Sequence, residues 1–122
     1  MNIKNLLVSG IILFLIDMIY ISNISKKYGN MIQNIQGSPM KTKMVSAVIC
    51  YLFLAFGVYY FIIKDNKKSS DAFLLGMIIY GVYNSTAHAL IDKFDTKIAI
   101  TDTIWGGILY YLTTEVYKKL NE

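Results

Sequence analysis

Apolar residues in this chain come in long, nearly unbroken runs rather than in the short alternations of a half-buried soluble element. The first run covers roughly residues 3–22, "IKNLLVSGIILFLIDMIYIS", and the second roughly residues 43–63, "KMVSAVICYLFLAFGVYYFII". The third and fourth cover roughly residues 72–91 and 98–118. Each approaches the ~20 residues a helix needs to cross the hydrocarbon of a bilayer. Only helices and closed barrels satisfy their backbone polar groups in lipid, and these runs are too long for barrel strands. The pattern predicts an all-α fold: a four-helix transmembrane bundle, one integral membrane domain over residues 1–122, with Met1 and Glu122 on the same side.

Between the first two runs the pattern changes. Ile24, Tyr28, Met31, Ile32 and Ile35 recur at helical spacing, with Lys26, Lys27, Asn30 and Asn34 between them. That spacing predicts a short interfacial amphipathic helix over residues 24–36, lying along the membrane surface with Lys26 and Lys27 toward water. Gly37-Ser38-Pro39 should end it. The connections around residues 65–71 and 92–97 read as short hairpins. The first run does not read as a cleaved leader, because Asp17 interrupts the apolar stretch and no small-residue cleavage site follows.

Composition agrees with the runs. Hydrophobic residues make up 55% of the chain and charged residues 16%, below the ~25% usual in soluble domains. A soluble domain this small would expose much of its area and need more polar surface. All twelve basic residues are lysine, six flanking one side of the expected bundle and six the other, so the positive-inside rule gives no orientation. The lysines form no stripe, which argues against nucleic acid as a partner. Beside apolar spans they suit anionic headgroups. Expected partners are therefore membrane lipids, further copies of the chain, or other membrane or envelope proteins. The lysine-only, Ile-, Asn- and Tyr-rich composition suits AT-rich coding, hence a bacterial inner membrane or a viral or host membrane. The lone Cys50 cannot form an internal disulfide and reads as a packing residue.

Polar residues inside the runs are the candidate chemistry. Asp17, His88 and Asp102 each fall near run ends that an up-down bundle brings to one side. At 1.5 Å per residue they would sit roughly 5–10 Å below that interface. Asn84 shares a helical face with His88. Tyr51 reaches a similar level on the second helix, and Thr86 and Trp105 are close in sequence. A charge in hydrocarbon costs several kcal/mol at least, so such groups face the bundle interior and pair. The expectation is one intramembrane polar cluster of Asp17, Tyr51, Asn84, Thr86, His88, Asp102 and Trp105, acting as a ligand, proton or ion site or as hydrogen-bonded glue. Gly81, Ser85, Gly106 and Gly107 would let helices approach closely around it. No paired-histidine or HExxH spacing supports a metal site, and no motif implies a cofactor or a catalytic set.

These residues also carry a resemblance. Asp17 with Tyr20, Tyr28, the aromatic-rich "YLFLAFG" from Tyr51 to Gly57, "YGVYNSTA" from Tyr80 to Ala87 and "DTIWG" from Asp102 to Gly106 follow one another along nearly the whole chain. In these motifs the chain resembles the domain of unknown function 2177 family, small membrane proteins found mostly in bacteria. The family pattern has Asp where this chain has Asn84, and Asn where it has Ala87. The resemblance implies a four-helix membrane protein and implies no activity. The expected function is a non-catalytic membrane-organising or assembly component. The alternatives are a proton or cation transporter or channel subunit using Asp17 and Asp102, or a lipid-acting membrane enzyme with the carboxylates and His88 as acid and base.

Overall fold

A computed structural model describes residues 2–121; Met1 and Glu122 lie outside the described residues. Among the described residues the regular structure is helical throughout, in four elements: α1 (Ile3–Gln36), α2 (Met44–Val58, running on into a π-helical turn at Tyr59–Ile63), α3 (Ser69–Leu90) and α4 (Thr96–Leu120). Asn2 caps α1, its side chain accepting from the Asn5 amide, and Asp95 caps α4 by accepting from the Ile98 amide. Lys118 and Lys119 occupy the last turn of α4, where the helix dipole favours cations.

The expected surface helix over residues 24–36 is helical, but it is not a separate element. It runs on from the first helix without a break, and α1 is 34 residues long. The physical reason lies at Ser22 and Asn23. They end the apolar run, yet their side chains fold back onto the Ile19 carbonyl and leave the helix intact. The first true terminator is Gly37, left-handed at φ 76°, whose amide bonds to the Gln33 carbonyl. The apolar face of this extension turns to the bundle. Met31 is buried with Phe94, Ile98 and Ala99, and Ile32 and Ile35 pack against them, while Lys26 and Lys27 are exposed.

Chain order sets the ends of the bundle. The Asn2 amide donates to the Tyr59 hydroxyl at the end of α2, and Lys118 Nζ donates to the Lys67 carbonyl just before α3. The start of α1 and the end of α4 therefore lie at one end. The α3–α4 connection lies at the other, beneath the overhang of α1.

The helices touch most closely where side chains are missing. A Cβ on Gly76 would run into the Gly106 carbonyl, one on Gly106 into the Tyr80 ring, and one on Gly107 into Met77. The α3 and α4 backbones thus lie directly against one another. Gly81, by contrast, leaves ordinary room, and Ser85 is exposed. On the other side of α4, Tyr110 is fully buried and donates to the Leu54 carbonyl, with Gly57 leaving space for its hydroxyl.

The outer surface is unlike that of a soluble bundle, and several polar groups join the apolar core. Ser9, Asp17, Asn84, Thr113 and Thr114 are buried, while Leu7, Ile11, Leu52, Phe53, Leu74, Ile78, Ile100 and Ile104 point outward. Two stretches, Ile3–Gln36 and Met44–Ile63, are long and apolar enough to cross a membrane.

Candidate functional site

The site is built from one residue per turn along the inner face of α1. Asp17, Tyr20, Ile24 and Tyr28 succeed one another at spacings of three and four, so they share a stripe. Asp17 is 6% exposed and accepts two hydrogen bonds. One comes from the Tyr51 hydroxyl of α2 at 2.6 Å, the other from Trp105 Nε1 of α4 at 2.8 Å. The second carboxylate, Asp102 of α4, accepts from Tyr20 of α1 at 3.2 Å and from Asn84 Nδ2 of α3 at 2.8 Å. The Tyr20 ring stacks on Trp105, with centroids 4.6 Å apart and planes 7° from parallel, joining the two halves. All four helices enter this network.

Asn84 orients itself unambiguously. Its Nδ2 donates both to Asp102 and to the Tyr80 carbonyl, acceptors that the amide oxygen could not satisfy. Its Oδ1 is buried without a protein partner.

Two of the expected cluster residues lie elsewhere. Thr86 is two positions from Asn84, which turns it to the far side of α3, and it is exposed. His88 shares the face of Asn84 but sits one turn nearer the end of α3. There it meets the first residue of α4, with Nε2 2.9 Å from Thr96 Oγ1. The four residues from Asn84 to His88 rise about 6 Å, beyond hydrogen-bond reach, so His88 misses the carboxylates. It lines a shallow groove on the outer side of α3 and α4, shared with Ser85 and Thr103. Tyr20 belongs to the network through its hydroxyl, and Tyr80 through its backbone carbonyl alone, although depth alone did not place them there. Tyr20 could have been found from its i+3 spacing to Asp17.

Both carboxylates open onto a half-open cleft of about 630 Å³ lined by residues of all four helices. Its walls are mostly apolar, from Ile21, Ile24, Leu54 and Ile79, and Met40 from the α1–α2 connection contributes at one end. Tyr20, Tyr28, Tyr51, Tyr80 and Tyr83 also line it. Tyr28 and Tyr83 close on each other across it, with hydroxyls 3.0 Å apart. The cavity is the size that holds a drug-sized ligand.

A family model described as "Predicted membrane protein (DUF2177)" matches residues 2–117. The chain belongs to the DUF2177 family. It is therefore a helical membrane protein, in keeping with its outward apolar faces. No curated protein and no solved structure matches it. The motifs that resemble DUF2177 converge in space. Asp17, Tyr20, Tyr51, Asp102 and Trp105 bond or stack with one another, and Tyr28, Tyr80 and Tyr83 line the adjoining cavity. Asn84 is the donor that joins α3 to Asp102.

Proposed function

We propose that this DUF2177 protein is a multi-pass membrane protein that holds a small, largely apolar molecule in a cleft between its helices and does no chemistry on it. Four spans are supported by outward apolar residues on every helix. At 1.5 Å per residue, α3 and α4 measure about 33 and 37 Å, enough for a ~30 Å hydrocarbon core. The observation that carries the binding role is the 630 Å³ cavity with both carboxylates on its wall. A bundle that only organised a membrane would have no use for two carboxylates facing a cleft, since charge beside hydrocarbon is costly. The non-catalytic reading is favoured by the partners of Asp17 and Asp102. All are indole, phenol or amide donors, and His88 is engaged with Thr96 outside the network.

Titrating the protein in nanodiscs with N-phenyl-1-naphthylamine, a neutral dye that fluoresces in apolar surroundings, tests the reading. Saturable binding at one dye per chain is expected, with loss in Ala47→Phe, which fills the cavity from α2. Dye uptake that never saturates, or that Ala47→Phe leaves unchanged, would overturn it.

A further inference from the structure

The cavity has an electrostatic sign as well as a size. Asp17 and Asp102 stand on its wall, and the four groups that bond to them, Tyr51, Trp105, Tyr20 and Asn84, are all neutral. A buried carboxylate is offset best by an opposite charge, and neutral donors do this only in part. Each carboxylate has about four acceptor positions, so two bonds apiece leave capacity for a ligand. Among the described residues, no lysine or histidine lines the cavity.

The remaining wall narrows the chemistry. Tyr20, Tyr51, Tyr80 and Tyr83 present aromatic rings beside the carboxylates. Ring faces attract cationic nitrogen, most strongly where water is excluded. A bare metal ion is disfavoured, because no group of three or more His, Cys, Asp or Glu side chains is assembled among the described residues. A hydrated ion would also lose its shell against an apolar wall. Phosphate-bearing headgroups are disfavoured too, zwitterionic ones included, since nothing on the wall would balance the phosphate.

We propose that the cavity selects a phosphate-free cationic amphiphile, with a substituted ammonium group seated between Asp17 and Asp102 and an alkyl or aryl tail along Ile21, Ile24, Leu54 and Ile79. The proposal rests on the binding role above and specifies the ligand class for that site. Trp105 is the only tryptophan in the chain and donates to Asp17, so its fluorescence reports occupancy directly.

The test is a titration of Trp105 fluorescence in nanodiscs with four octyl probes: octyltrimethylammonium, octylphosphocholine, octyl phosphate and octanol. Octyltrimethylammonium should give a saturable change at concentrations roughly tenfold or more below the other three. Asp17→Asn and Asp102→Asn should each weaken it by a similar factor, with far-UV circular dichroism unchanged as evidence of a folded bundle. If octanol matches the ammonium, or if folded Asn variants bind it unchanged, the charge selectivity is wrong and the binding role stands. If octylphosphocholine binds as tightly, the ligand is a phospholipid headgroup and the phosphate-free assignment is wrong. If neither the dye nor any octyl probe saturates, both readings fail. The probe series on the unmodified protein decides the matter even where an Asn variant does not fold.

Discussion

At the scale of single residues, the short contact between Tyr51 and Asp17 and the longer one between Tyr20 and Asp102 should not weigh equally. Tyr51→Phe removes a 2.6 Å bond to a buried carboxylate, whereas Tyr20→Phe removes a 3.2 Å bond and keeps the ring stacked on Trp105. Hydrogen bonds between membrane helices contribute on the order of 0.5–2 kcal/mol. Tyr51→Phe should fall at the upper end and Tyr20→Phe near the lower, read from unfolding in mixed detergent followed by circular dichroism. Equal losses would mean that the phenol–carboxylate distances do not govern the network. His88→Ala should change neither stability nor dye binding measurably, because the ring is exposed and bonds only to Thr96. A loss of dye binding in that variant would return His88 to the site. The sequence made Asp17, Tyr51, Asn84, Asp102 and Trp105 legible through the cost of charge in hydrocarbon, which forces inward pairing. It misled at His88 and Thr86, because sequence proximity and approximate depth do not resolve a single helical turn or the face of a helix.

For the helices themselves, two consequences can be measured. Gly76→Ala and Gly106→Ala each place a methyl group where the partner helix already has backbone or a ring, so α3 and α4 must separate. Overpacking of this kind costs about 1–3 kcal/mol, and Gly81→Ala, which has ordinary room, should cost less. Thermal unfolding of the three variants should rank them in that way; indistinguishable melting would argue against direct backbone contact. The second consequence concerns α1. Spin labels at Lys4 and Gln36, on either side of Ser22, should lie about 48 Å apart in a continuous helix at 1.5 Å per residue. A right-angle bend at Ser22 would bring them to roughly 34 Å. The hydropathy pattern located the amphipathic stretch and its polar face but not this continuity. Ser22 and Asn23 change the solvent preference of the chain without breaking its backbone hydrogen bonds, and only Gly37 with Pro39 does that.

The whole molecule places the beginning of α1 and the end of α4 together. With Cys50 replaced by Ala, single cysteines at Asn2 and Asn121 should react with a membrane-impermeant maleimide from the same face of sealed vesicles. Reaction from opposite faces would remove the four-span arrangement. The long-range bonds of Asp17 also bear on how the chain enters the membrane. Its partner Tyr51 follows 34 residues later, but Trp105 follows 88 residues later, in α4. Until α4 arrives, the carboxylate has half of its donors, so a charged Asp17 released into lipid would be left partly unpaired. Release of the first two helices into the bilayer should therefore wait for the fourth. A ribosome-bound chain halted before Trp105 should remain crosslinked to the translocation apparatus, whereas the same halted chain carrying Asp17→Leu should pass freely into lipid.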